Sequence, residues 1–266
     1  MGATAACALT DSRITGWVPG ADIVVTVGTM LVVLLMMRAV DDIRDLDYDR
    51  DRNPDRPLAS GVVSTQDLAV LLAVGAAVVL AANAWRPAVA AILAVQLAYV
   101  GVMVTVERRT GWPSGDALFV NYALALPVQL LLNGFLYAGL LHSTGLGPSW
   151  SGAVGVVVAA LLFAHFEFAR KTVRRPRPGE RTYVTALGVG GSAATAVGCA
   201  VVGVALLVAA ARPWSPAALV VVLPLVFPVL AALRFRRLPR WPYGLAAAFL
   251  LTGFAGPVIA NLLELL

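Results

Sequence analysis

The sequence predicts an all-α integral membrane protein: one domain, residues 1–266, built as a bundle of eight clear transmembrane helices. Three observations lead there. The chain is 59% hydrophobic and only 13% charged, where a soluble domain carries about 25% charged residues, and its mean hydropathy is +0.82. Apolar runs of membrane-crossing length recur along the whole chain, and Lys and Arg gather in alternate loops between them. No run shows the short alternating pattern of a transmembrane barrel, so the spans are helical.

The first twenty residues are too polar and interrupted for a signal peptide. They read as an interfacial lead-in or as the remains of a first helix. Spans follow at about 21–40, 66–85, 87–106, 116–141, 150–169, 183–211, 214–234 and 241–263. Pro127 is expected to kink the fourth span, and Pro224 and Pro228 the seventh. Gly188, Gly190, Gly191 and Ser192 form a small-residue patch in the sixth, suited to close helix packing. Cys7 and Cys199 have no metal-ligand spacing and read as small apolar fillers.

Charge fixes the expected orientation. The loops after the first, third, fifth and seventh spans hold sixteen Lys and Arg, and the alternate loops only Arg86 and Arg212. This places the basic loops in the cytoplasm and the C-terminus outside, in a cell membrane. It also turns the net charge of +5 away from nucleic acid and toward membrane lipid. Arg174, Arg175 and Arg177 are topology signals of this kind, bound to headgroups.

One stretch departs from the pattern. Between Asp41 and Asp55 lie seven of the fifteen carboxylates, directly after the first span. At 3.6 residues per turn Asp41, Asp42, Asp45 and Asp49 share a face. Such a stack repels itself unless a cation sits among it. Asn53-Pro54 then stops the helix, and Arg56-Pro57 follows in a turn. Carboxylates beside arginines suit Mg²⁺ and phosphate: Mg²⁺ takes one or two carboxylates plus phosphate oxygens, and guanidinium forks take the rest. The competing reading is a solvated helix end neutralised by Arg44, Arg50, Arg52 and Arg56.

A second cluster lies at the inner end of the fifth span. Glu167, Arg170 and Lys171 share a face there, and Lys171 is the single lysine beside nineteen arginines. Ionisable groups at the edge of hydrocarbon are candidate functional groups. Asn121, Tyr122, Gln129 and Asn133, along the fourth span, need a polar interior or cavity. His165 reads as a packed or interfacial residue, and His142 falls on the outer side.

Asp41 to Asp49, read DDIRDLDYD, with Arg56-Pro57-Leu58 behind it, resembles the first motif of the UbiA superfamily of intramembrane prenyltransferases, NDxxDxxxD followed by an Arg-Pro-Leu turn. The resemblance implies a nine-helix fold, whose first helix is degenerate or missing here within residues 1–20. The family's second aspartate motif is replaced by Glu167, Arg170 and Lys171, an ExxRK pattern of a divergent branch. A charged lysine there binds phosphate directly instead of ligating metal.

On this resemblance the chain is a Mg²⁺-dependent transferase that moves an isoprenoid from its diphosphate to a hydrophobic acceptor, aromatic or otherwise. The substrate tail would lie in the bundle, the diphosphate in its cytoplasmic mouth. Asp42, Asp45 and Asp49 bind Mg²⁺ with Asp41 assisting. Arg56, Arg170 and Lys171 hold the diphosphate, making Asp42, Asp45 and Lys171 the catalytic set. Glu167 completes a second metal site or orients Lys171, and Tyr183 and Asn121 contact substrate. Ionisation followed by ring closure, a terpene cyclase outcome, is the alternative. A cation or lipid transporter is a third reading, and the position of the acids at the membrane edge speaks against it.

Overall fold

The computed structural model describes residues 1–14, 17–211, 217–263 and 265. Its helices are α1 (Gly2–Thr10), α2 (Ile23–Arg44), α3 (Leu46–Arg52), α4 (Thr65–Asn83), α5 (Pro87–Thr110), α6 (Leu118–Thr144), α7 (Trp150–Arg170), α8 (Val184–Ala210), α9 (Ala217–Val222), α10 (Val226–Phe235) and α11 (Tyr243–Leu263). A single antiparallel bridge, Val173 to Arg240, is the one β-type pairing among the described residues. Seven helices are long and apolar enough to cross a membrane, namely α2, α4, α5, α6, α7, α8 and α11. That is the architecture of a multi-pass membrane protein.

The expected span at 214–234 is not a continuous helix. A 3₁₀ turn, Leu223–Leu225, separates α9 from α10. Pro224 lies in that turn, where its missing N–H removes a rung of the ladder. Pro228, by contrast, falls in the first turn of α10, where a donor is not needed. Residues 214–216 of the expected span, and Arg212, lie outside the described residues. α6 continues unbroken through Pro127.

The chain divides into two compact units: Gly20–Ala117, and Met1–Pro19 together with Leu118–Leu266. In the first, α4 packs on both α2 and α5. A side chain on Gly75 would meet the Met36 sulfur at 2.7 Å, so glycine sets how closely α4 approaches α2. One end of this unit is tied by polar groups. Fully buried Arg86 donates from Nη1 to Thr26 Oγ1 at 2.8 Å and from Nη2 to Asn83 Oδ1. Asn83 in turn donates to Thr29 Oγ1 at 2.8 Å and to Val79 O at 2.7 Å.

In the other unit α1 is a buried helix, with Ala3 to Thr10 all inaccessible, packed against α7 and α11. It comes close to α7 at Gly155, where a Cβ would lie 2.5 Å from the Cys7 Cα, and to α11 at Gly2, where one would lie 2.5 Å from the Phe254 Cβ. Asn261 Nδ2 reaches Ala5 O at 3.0 Å. Beyond the helix, Asp11 accepts from Arg13 Nη2 at 2.7 Å and from Ser149 Oγ at 2.6 Å, while Arg13 also reaches Gly147 O at 2.7 Å. His165 is fully buried on α7, its Nδ1 2.8 Å from Ala196 O.

The patch packs at Ser192, which is fully buried with its Oγ 2.6 Å from Thr172 Oγ1, while the glycines behave differently. Gly188 has φ 70° and ψ 171°, a conformation that breaks α8 and favours a residue without Cβ. Open space faces both Gly188 and Gly190, and Gly191 meets only its own helix at Leu187. Close contacts fall elsewhere, among them at Gly155, at Gly203, which faces Leu161, and at Gly253, which faces Leu162. Arg174 also differs from expectation. Its Nε donates to Phe235 O at 2.9 Å and to Leu238 O at 3.0 Å, which caps the end of α10.

Two measurements check this packing. Gly155→Leu should lower the thermal midpoint of the detergent-solubilised protein by many degrees, whereas Gly28→Leu, which points into open space, should leave it near wild type. The Arg13 guanidinium beside Asp11 holds that carboxyl near 2, below its ordinary 3.8. A depressed acid stabilises the fold above its unfolded value and loses that contribution as pH falls toward the folded one. Asp11→Asn should therefore cost about 1–3 kcal/mol at neutral pH, and its deficit relative to wild type should close between pH 3.8 and 2.

Candidate functional site

Three elements carry the acidic segment: the end of α2, the short α3 and the turn into α4. Asp45 marks the junction of α2 and α3, with φ −90° and ψ 5°. The helical ladder survives it, because Asp45 N bonds Asp41 O at 2.9 Å and Asp49 N bonds Asp45 O at 2.8 Å. Asn53 ends α3 just before Pro54, with φ −140° and ψ 58°. The following turn is closed by Ser60 N on Arg56 O at 2.8 Å and Val63 N on Pro57 O at 3.0 Å. Ser64 and Asp67 then form a reciprocal capping box that starts α4.

Each well-placed carboxylate carries its own arginine. Arg38 Nη2 lies 2.7 Å from Asp42 Oδ1, one turn back on α2. Arg56 folds back so that Nη1 is 2.5 Å from Asp49 Oδ2, and Asn53 Nδ2 donates to Asp49 Oδ1 at 2.8 Å. Asp49 is only 4% exposed. Asp42, Asp49, Arg38 and Arg56 line one notch of about 30 Å³, closed by Leu46 and Pro57. That is room for a water or a single ion, and too little for a diphosphate with these side chains as they stand. Asp41 is exposed and Asp45 half-buried. Asp47 pairs loosely with Arg50, at 3.3 Å, on the surface.

The expectation of four aspartates gripping one ion is not what forms. Among the described residues no group of three or more His, Cys, Asp or Glu side chains is placed to hold a metal ion. The physical reason lies in the guanidiniums. Both Asp49 oxygens are consumed in locking the Asn53–Arg56 turn, so this residue positions the turn. Asp42, paired with Arg38, and Asp41 and Asp45 present further carboxylate oxygens along the same segment. Hard carboxylate oxygens are the donors Mg²⁺ prefers.

The second cluster sits in the other unit, at the end of α7. Glu167 Oε2 lies 2.5 Å from Arg170 Nη2, and Oε1 lies 2.6 Å from Lys171 Nζ. Tyr183 Oη donates to Oε1 at 3.3 Å. With both oxygens engaged by cations, Glu167 orients Arg170 and Lys171. Tyr183 is buried, its ring tilted against Phe168 with centres 4.5 Å apart and against Phe119 at 5.2 Å. The Lys171 ammonium stands 5.5 Å above the Tyr183 ring, a cation–π distance. Asn121 lies half-buried on α6 beside Tyr122, whose ring is 5.1 Å from Phe168.

Sequence reasoning missed three partners. Arg38 was visible, since it stands four residues before Asp42. Asn53 was read as a helix stop and is also a ligand of Asp49. The Arg44–Glu107 ion pair joins residues 63 apart in sequence and leaves no local signal. Against models of known families, curated proteins and solved structures, the chain matches none.

The turn gives a stability test independent of activity. Asp49→Ala leaves Arg56 and Asn53 without their acceptor and should destabilise the protein by about 1–3 kcal/mol. Asp47→Ala, on the surface, should stay within about 0.5 kcal/mol of wild type. Equal thermal midpoints for the two variants would refute the locking role.

Proposed function

We propose that this chain is an intramembrane enzyme that ionises an isoprenoid diphosphate in the presence of Mg²⁺ and passes the prenyl group to a hydrophobic acceptor. The observation that carries the reading is the pairing of carboxylates with guanidiniums around one notch at the end of an apolar helix, Asp42 with Arg38 and Asp49 with Arg56. Such a set can open toward an anion. Phosphate oxygens compete for Arg38 and Arg56, and a freed Asp42 carboxylate becomes available to a divalent cation.

Asp42 and Asp45, with Asp41 beside them, would hold Mg²⁺, which when bound neutralises the charge that grows on the departing diphosphate. The chain's own groups do the rest. Arg56, already set in its turn by Asp49, offers a fork to the phosphate. In the other unit Lys171 and Arg170, aimed by Glu167, are a separate pair of cations suited to phosphate. Breaking the allylic C–O bond leaves both electrons on the diphosphate and a cation on the prenyl carbon. An apolar surround keeps water from that carbon until the acceptor forms the new bond and gives up a proton. Phe119, Tyr122, Phe168 and Tyr183 provide an aromatic wall beside Lys171.

Glu167 is already committed to two cations, which favours a site with fewer metal ions than a pair of aspartate motifs would hold. It keeps ring closure of the same prenyl cation as the second reading. On the orientation given by the basic loops, the site belongs to the cytoplasmic face of a cell membrane.

Purified protein given prenyl diphosphates of several lengths, with Mg²⁺ or with chelator, should release diphosphate only with the metal. Mass spectrometry should find a prenylated acceptor when a hydrophobic extract is added. A cyclic product from diphosphate alone would select the cyclase reading. Asp42→Asn and Asp45→Asn should each lose about 100-fold or more in turnover, and Lys171→Ala should raise KM with the Mg²⁺ requirement unchanged. Wild-type turnover in Asp45→Asn would remove the metal assignment, and absence of any Mg²⁺-dependent diphosphate release would remove the enzyme.

A further inference from the structure

The four-helix unit of residues 20–117 contains a second cavity, on the side of α2 away from the aspartates. It measures about 540 Å³ and is lined by residues of this unit alone. Met36, Val40 and Ile43 border it from α2. At ~100° per residue this face lies roughly opposite the one that carries Arg38 and Asp42. The groove is therefore distinct from the carboxylate notch.

Small residues carve it. Ala69, Ala73 and Ala76, one turn apart on α4, form the floor, and Gly101 on α5 has nothing within 4 Å of where a Cβ would stand. The lining runs from Ala76 and Leu97 at one end to Thr65 and Arg108 at the other. That is eleven residues along each helix, or about 16 Å at ~1.5 Å per residue. Half of a ~30 Å hydrocarbon core is ~15 Å. The groove has the depth of one leaflet.

Its two ends differ. The deep end is apolar. The other end presents Thr65, Gln66 and Arg108. The acids nearest that end are already engaged: Glu107 holds Arg44, and Asp67 closes the capping box with Ser64. Arg108 makes no ion pair among the described residues, and Arg109 stands next to it in the last turn of α5. The Arg44–Glu107 pair ties α2 to α5 beside the opening, and Arg86 ties them at the far end through Thr26. The groove is thus a built feature, pinned at both ends.

We infer that this groove is a binding site for one anionic glycerophospholipid, its acyl chain along the alanine floor and its phosphate at Arg108. Charge and depth both select that occupant. A guanidinium at the interface end pairs with a phosphodiester, and a leaflet-deep apolar channel takes one chain from the headgroup level to the midplane. A diphosphate bound among the aspartates would send its tail from the other face of α2, so the site does not depend on the proposed reaction.

The test uses the full chain purified in mild detergent, with native mass spectrometry to count bound lipid. Delipidated protein is then re-exposed to phosphatidylglycerol or to phosphatidylcholine of the same chain length. One phosphatidylglycerol per chain should be retained and preferred about threefold to tenfold over phosphatidylcholine. Gly101→Phe adds a bulky side chain to the groove at a position where a Cβ has nothing within 4 Å, and should abolish retention of either lipid. Arg108→Gln should keep a lipid and lose the preference. Both variants should elute as wild type on gel filtration; if Gly101→Phe does not, Ala73→Leu provides the same block from the floor. Wild-type stoichiometry in the blocked variants would overturn the site, and an undiminished preference in Arg108→Gln would overturn the headgroup contact. One-for-one displacement of the lipid by a prenyl diphosphate would overturn the lipid assignment and give the groove to the reaction's substrate.

Discussion

A guanidinium with no route to water sets the geometry of the four-helix unit. Arg86 is fully buried, and it donates to two neutral groups, Thr26 on α2 and Asn83 on α4. Burial pulls its pKa below the ordinary value, with Asp22 opposing that shift, yet an arginine stays charged under any working condition. A buried cation left without those partners is strongly destabilising. Its partners therefore have to be where they are, and α2, α4 and the start of α5 are fixed in register by that demand. At the other end of the same helices stand the carboxylate segment and the apolar groove. Both inherit their positions from a polar knot that touches neither.

The acidic segment follows a related economy. Seven carboxylates in a short stretch would repel one another on a bare helix end. Arginines at i−4 from Asp42 and at i+7 from Asp49 turn repulsion into two closed pairs. Because Asp49 is buried and Arg56 is 40% exposed at its side chain, the pair is anchored on the acid side and free to swing on the basic side. This asymmetry suits a turn that has to present a guanidinium to a ligand while keeping its own fold. A surface pair with both ends exposed, such as Asp47 with Arg50, contributes little of either kind.

Hydropathy made most of the fold legible. The expected spans at 87–106 and 150–169 correspond to α5 at Pro87–Thr110 and α7 at Trp150–Arg170, because crossing hydrocarbon imposes both length and apolarity. The same measure misled at 214–234, since hydropathy does not register a missing N–H and Pro224 splits that run. Glycines were harder. The patch around Gly188 and the single Gly155 look alike in a sequence, but one supplies a positive φ and the other supplies room for the Cys7 backbone. Which service a glycine renders depends on the neighbour across the interface, and that neighbour is distant in the chain. The site was legible as a pattern of acids. It was less so as a set of pairs, because Arg44–Glu107 and the fold-back of Arg56 onto Asp49 exist only once the turns are made.

The second cluster balances its charge differently from the aspartate segment. Glu167, Arg170 and Lys171 sum to one net positive charge held at the end of an apolar helix. An acid in place of Lys171 would make the same trio negative overall, and it would then need a cation before it could receive a phosphate. With lysine there, on the proposed reading, the trio meets a diphosphate directly, as a point charge and a fork. Glu167 then has a different task from the aspartates on α2. It aligns cations that would otherwise repel each other, and Tyr183 behind it fixes the carboxylate from the protein side. On that reading, the lysine that breaks the acidic pattern keeps the affinity for phosphate while lowering the demand for metal.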